Sequence, residues 1–318
     1  GNLTPQLQTG MDSSLVLIDL GRGQKRMGAS ILAQILNQGG GDTPDLDDAQ
    51  DLLLLVHAIN DLRHQGLLLA YHDKSDGGLW ATVCEMAFAG RVGVDLNIDL
   101  LVTEGDGVSD SRADHGDSKN WAHQVGARRE ELSLQALFNE ELGVVVQVAT
   151  AQRDKVMQVL RQHGLSAHSH VIGKTRSSAS PVVSVWRDAK EVFSASLQDL
   201  QQVWDSVSWK IANQRDNPLA ADQEHAAAGD PKDLGLHLHL PTGWLDKPVA
   251  AFVHKARPRV AVLREQGVNS HVEMAYAFTE AGFEAYDVHM TDLQQGRANL
   301  KDFQGIVACG GFSYGDTL

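Results

Sequence analysis

The run LVLIDL (Leu15–Leu20) reads as a mostly buried strand, because its apolar residues are nearly continuous. The loop GRGQKRMG follows, and SILAQIL then restores the three-to-four spacing of an amphipathic helix. A second helix is predicted over Leu52–Gln65, with Leu52, Leu55, Val56 and Ile59 on one side and Gly66 as its stop. LLLAY (Leu67–Tyr71) reads as a buried strand, and HDKSDGG hands it over to a helix at Leu79–Ala89, closed by Gly90. Strands are predicted near Val92–Ile98, Val144–Val148 and Ser169–Ile172, and a helix from Gln152 to His163 before Gly164.

Between these elements, residues 103–130 are rich in Gly, Asp, Ser and Arg and lack apolar periodicity, so they read as a solvated insertion. Residues 191–256 read as a linker with one helix around Leu197–Ala212; Asn213–Gly235 is polar and interrupted by Pro218, Gly229 and Pro231. His237 and His239 alternate in a strand-like run and are expected to face solvent. A new pattern starts at Arg259: RVAVL as a strand, His271–Glu280 as a helix, EAYDVHM and GIVACGG as two more strands. That β-α-β order predicts a parallel, doubly wound sheet with ligands at the carboxyl ends of its strands. The expected organisation is an α/β module over 1–190, a linker over 191–256 and the truncated start of a second domain over 257–318.

Composition narrows the function classes. The 27 Lys and Arg against 41 Asp and Glu give a net charge of −14, which argues against a general nucleic-acid binder. A phosphorylated small ligand remains compatible, because a metal ion or helix terminus can reverse the field locally. Two distant cysteines, Cys84 and Cys309, make a disulfide framework or structural zinc site unexpected. GNLTPQLQTG has no basic n-region or apolar h-region, and no apolar run is long enough to span a bilayer, so a cytoplasmic protein is expected.

His72-Asp73-Lys74-Ser75-Asp76-Gly77-Gly78 is the most informative segment. Asp73 could hold Mg²⁺, with Ser75 and the Gly77 and Gly78 amides meeting phosphate oxygens at a helix N-terminus. The alternative is structural, with Asp76 as N-cap, the glycines in a turn and Asp73 solvated. Gly23–Ser30 nearly spells a P-loop, but Ala29 replaces its lysine; a structural turn with solvated Arg22, Lys25 and Arg26 is the expectation. The pair Glu140-Glu141 is expected to be exposed at an element end. Cys309 reads as a buried structural thiol, and Gly310-Gly311 as flexible amides at a strand's carboxyl end.

Taken together, TPQL, LIDLGRGQKRMGAS, the PDLDD run, YHDKSDGGL, LFNEELG, RDNPLAADQEH and GGFSYGD resemble, in this order, the C-terminal part of long-form phosphoribosylformylglycinamidine synthases. The resemblance covers nearly the whole chain except the insertion. It implies an α/β fold: an AIR-synthetase-like C-terminal domain, a mixed sheet with helices, followed by the start of a class I glutamine amidotransferase domain. It also implies an ATP-dependent ligase of purine biosynthesis. Formylglycinamide ribonucleotide, ATP, glutamine and water would give the amidine, ADP, phosphate and glutamate.

Carried over by residue, Asp73 matches the family's magnesium ligand, Ser75 its contact to ATP or ADP, and Gly310 and Gly311 its oxyanion loop. The family's nucleophilic cysteine and its His/Glu partners correspond to positions beyond Leu318. The N-terminal synthetase modules that complete the nucleotide site are also expected elsewhere in the parent chain. The half containing this module is expected to hold an auxiliary nucleotide, so the 318 residues alone are expected to be inactive. Two other readings stay open: a noncatalytic Mg-nucleotide module, and another ATP-dependent enzyme of the AIR-synthetase superfamily.

Overall fold

The computed structural model describes residues 2–102, 118–230 and 256–312, with short stretches at 232–233, 235–236, 238–241 and 243. The chain divides into two compact units, Gly1–Leu236 and His237–Leu318.

The first unit runs β1 (Ser13–Asp19), α1 (Ile31–Ile35), α2 (Ala49–His64), β2 (Ala70–Lys74), α3 (Gly78–Gly90) and β3 (Gly93–Asn97). It continues with α4 (Ser118–Phe138), β4 (Gly143–Ala149), α5 (Arg153–Gln162), β5 (Ser169–Arg176), β6 (Val182–Arg187), β7 (Lys190–Ser196), α6 (Leu197–Arg215) and α7 (Pro218–Gly229). Its seven strands form one mixed sheet in the order β2-β4-β1-β5-β3-β6-β7. Only β3 and β6 pair in parallel; the other pairs are antiparallel. The continuous apolar run of β1 has a simple cause: both of its faces are covered. Leu15 and Leu17 join one core with Leu79, Val83 and Met86 of α3. Val16 and Ile18 join another with Leu55 and Leu62 of α2 and Val156 and Leu160 of α5.

Several sequence expectations shift. Pairing of Ala70–Lys74 with Gly143–Gln147 moves the second strand toward its carboxyl end, so Asp73 lies within β2 and not in a loop. Residues 118–130 of the supposed insertion are helical, as the first part of α4. Leu132 and Ala136 near its end are buried in the core. Residues 103–117 lie outside the described residues. The polar stretch after Ala212 carries a second helix: the Asn217 side chain accepts from the Leu219 and Ala220 amides, and Pro218 takes the first turn, where its missing N–H costs nothing. Pro218 thus starts a helix where the sequence reading saw an interruption. Trp209 stacks on His225 with centroids 4.6 Å apart, tying α7 to α6. His237 lies outside the described residues.

The second unit comprises β8 (Arg259–Arg264), α8 (His271–Glu280), β9 (Glu284–His289), α9 (Met290–Gln294) and β10 (Gly305–Ala308). Its strands are all parallel, in the order β10-β8-β9, as the β-α-β pattern predicts. Val260, Ala261 and Val262 of the central β8 are buried.

Candidate nucleotide and metal site

Four of the sequence motifs meet at one end of the first unit, and a buried carboxylate joins them. Glu141 is fully buried and accepts from Arg26 Nε at 2.7 Å and Nη2 at 2.7 Å, a two-point ion pair. The Arg26 backbone amide donates to the same carboxylate at 3.0 Å. Arg26 also reaches Asp47 at 3.0 Å, and Arg22 bonds Asp51 at 2.6 Å and Asp48 at 3.0 Å. The bases of the GRGQKRMG loop are therefore not simply solvated. Lys25 itself donates to the Leu101 carbonyl. The PDLDD run supplies countercharges and, through Asp48, the N-cap of α2.

Strand alternation explains the second layer. Lys74 points inward from β2 while Asp73 and Ser75 stay exposed. Lys74 Nζ donates to Asn139 Oδ1 at 2.9 Å and pairs with Asp19 at 3.3 Å. Burial pushes its pKa down, against the opposing pull of Asp19 and Glu141. The expected exposure of the Glu140-Glu141 pair is thus corrected: Glu141 is interior because Arg26 neutralises it, and Glu140 is half-buried.

Glu140 clamps two loops. Its Oε1 accepts the Gly77 amide at 2.8 Å and the Ile31 amide at 2.9 Å. The Gly78 amide donates to the Ser75 carbonyl at 2.9 Å. The two glycine amides considered for phosphate are therefore already engaged within the protein. Asp76 is not the cap of α3; Gly77 takes that place at φ 80°, a left-handed conformation that glycine adopts without strain. Ser30 is buried and caps α1 by accepting the Ala33 amide at 3.2 Å, which removes the last likeness to a P-loop.

Asp73 and Ser75 remain as exposed polar groups on the DKSDGG segment. Asp73 Oδ1 accepts the Tyr71 hydroxyl at 2.6 Å. Among the described residues, no three His, Cys, Asp or Glu side chains gather as a complete metal site. Asp73 fits Mg²⁺ as one member of a shared site, since this ion commonly takes one or two protein carboxylates plus phosphate oxygens. Sequence reasoning missed Lys74, Asn139 and Tyr71; the inward-outward alternation across AYHDK was the signal available for the first and last.

In the second unit, Gly310 and Gly311 follow β10. The Asn269 amide donates to the Gly310 carbonyl at 2.9 Å and the Phe312 amide to the Gly267 carbonyl at 2.8 Å, zipping this loop to the one after β8. A Cβ on Gly311 would lie 2.3 Å from the Gly267 carbonyl oxygen, whereas Gly310 has open space. Cys309 is half-exposed just past the strand, which corrects its expected burial: the edge position of β10 leaves it uncovered. Cys84, by contrast, is buried, and burial pushes its thiol pKa up to about 12.

Residues 14–185 match the family of AIR synthase related proteins, C-terminal domain, over more than half of the chain. The chain belongs to that family. Residues 257–318 match the CobB/CobQ-like glutamine amidotransferase domain. Among solved structures, Thermotoga maritima PurL complexed with ATP is 14% identical with TM-score 0.41, over 62% of this chain and 26% of that one. The same protein complexed with FGAR gives 14% and 0.43, over 62% and 29%. Escherichia coli HypE, a hydrogenase maturation protein, gives 19% and 0.37, over 60% and 51%. The chain therefore spans about a quarter of the PurL chains and half of HypE, and at these scores the likeness extends to neither substrate nor cofactor. No helix among the described residues is long and apolar enough to cross a membrane.

Proposed function

We propose that the chain is the C-terminal part of a long-form phosphoribosylformylglycinamidine synthase. The observation that carries this reading is the order of two domains on one polypeptide, an AIR-synthase-related C-terminal domain followed by a glutamine amidotransferase domain. An enzyme that generates ammonia from glutamine and spends it on an ATP-activated carbonyl needs both parts. In this reading Asp73 would hold Mg²⁺ and Ser75 would contact ATP or ADP. The metal, when bound, would offset charge on the nucleotide phosphates. The Asp73 carboxylate would hold the ion, and Glu140 fixes the loop behind it through Gly77. Gly310 and Gly311 would face the oxyanion formed as glutamine is hydrolysed. Partners are formylglycinamide ribonucleotide, ATP, glutamine and the synthetase modules that complete the nucleotide site.

The test is nucleotide retention by the longer enzyme. Released ADP is quantified after denaturing wild type and Asp73→Asn, alongside amidine formation from formylglycinamide ribonucleotide, ATP and glutamine. Loss of most bound ADP in the variant is expected, by about tenfold or more for a lost metal ligand. Full ADP retention would remove Asp73 from the site, and no amidine formation by the wild type would overturn the assignment of substrate.

A further inference from the structure

We infer that Tyr71 is a positioning residue for the Asp73 carboxylate; the inference rests on the metal role proposed above and assigns a device that sets it. Tyr71 and Asp73 are two residues apart on β2, so their side chains leave the same face of the strand. The Tyr71 hydroxyl donates to Asp73 Oδ1 at 2.6 Å, a short charge-assisted bond. The ring is partly buried against the core that contains Val16, Ile18 and Val146. Its backbone amide is tied to the Thr4 carbonyl at 3.0 Å, which fastens this edge strand to the N-terminal segment. An exposed aspartate on a sheet edge therefore has one oxygen held by a rigid donor.

That arrangement suits a carboxylate that contributes a single oxygen to a hard cation. Mg²⁺ tolerates little departure from octahedral geometry, so a ligand with a fixed rotamer binds it better than a freely rotating one. Hydrogen-bonding partners of ligating carboxylates typically change metal affinity by about 10–100-fold when removed. The bond leaves Oδ2 and the second lone pair of Oδ1 for the ion.

The test titrates Mn²⁺, a paramagnetic stand-in for Mg²⁺, into the longer enzyme in the presence of ADP, so that the phosphate oxygens and the modules completing the site are present, while backbone amide resonances of Lys74–Gly78 are followed. Wild type is expected to show broadening centred on this segment, and Asp73→Asn to lose it. Tyr71→Phe keeps the packed ring and is expected to need about tenfold more Mn²⁺, with its thermal unfolding midpoint little changed. Tyr286→Phe removes the same kind of bond, from Tyr286 to Glu284 at 2.7 Å in the second unit, and serves as the control expected to behave as wild type. If Asp73→Asn loses the broadening and Tyr71→Phe titrates like wild type, the positioning role is wrong and the metal reading stands. If wild type shows no broadening here, or Asp73→Asn keeps it, the metal reading falls and the role of Tyr71 falls with it.

Discussion

The DKSDGG segment, which runs from the end of β2 into α3, and the Gly310-Gly311 loop after β10 both lie at the carboxyl ends of strands, yet opposite means hold them. Around DKSDGG the supports are side chains from distant segments: Lys74 with Asp19 and Asn139, Glu140 with two amides, and Glu141 with Arg26. Around Gly310-Gly311 the supports are backbone groups of a single neighbouring loop. The first design depends on charge satisfaction in a dry interior, the second on the absence of a Cβ. Each should fail by its own mechanism.

The largest effect is expected at the buried pair. Glu141→Gln keeps the volume but leaves Arg26, whose side chain is only 13% exposed, without its two-point partner. Arg26 then keeps its bond to Asp47, but the interior position of residue 141 loses its charge-assisted bonds, and removing one member of such a pair is destabilising. Urea unfolding of the first unit should register that loss. A change below about 1 kcal/mol would show that packing, and not this pair, holds the loops.

In the second unit the matched pair is Gly311→Ala and Gly310→Ala. A methyl at Gly311 meets the Gly267 carbonyl at 2.3 Å and the Val268 Cα at 2.7 Å, both backbone, so the loops must part. Overpacking of this kind costs about 1–3 kcal/mol. Gly310→Ala meets nothing within 4 Å and should leave the zipper intact. Hydrogen exchange at the Asn269 and Phe312 amides reads the difference directly. Equal protection in both variants would mean that close approach does not define this loop.

The same contrast explains what could be read from the residues in advance. The β-α-β rhythm of the second unit and the double-sided burial of β1 were legible, because apolar period reports burial directly. Helix α4 was not, since its sequence over 118–130 carries no apolar period, and α7 was hidden by a proline that starts a helix. Asp73 and Ser75 were chosen by resemblance, and their exposure is compatible with it. Asn139 was missed, and Glu141 was expected to be exposed, because long-range pairing leaves no periodic trace. Alternation across AYHDK puts Lys74 on the face opposite Asp73, but it does not name Asp19 and Asn139 as its partners. Glu140 and Glu141, adjacent and chemically identical, ended in different surroundings because only one of them meets an arginine.

The smallest expected effect concerns the Arg22–Asp51 pair, which sits between these extremes: Asp51 is 9% exposed in its side chain and Arg22 is 45% exposed. The hydrogen bond from Arg22 is the main cause that lowers the Asp51 pKa below its usual value, outweighing the upward push of burial. A carboxyl whose folded pKa is depressed contributes stability that is complete above its unfolded pKa of about 3.9 and is lost as pH falls through the folded value. The first unit should therefore lose stability on acidification below about pH 4, and Asp51→Asn should flatten that limb while lowering the plateau at neutral pH. Denaturation midpoints measured from pH 7 to pH 3 separate the two effects. The acid sensitivity of this pair also bears on the comparison, since the Gly310-Gly311 zipper is made of backbone groups that do not titrate in that range. Exchange protection at Asn269 should stay constant over the pH interval in which the Asp51 contribution disappears, once the intrinsic pH dependence of exchange is removed. A parallel decline in both would show that the two loops do not rest on separate physical supports.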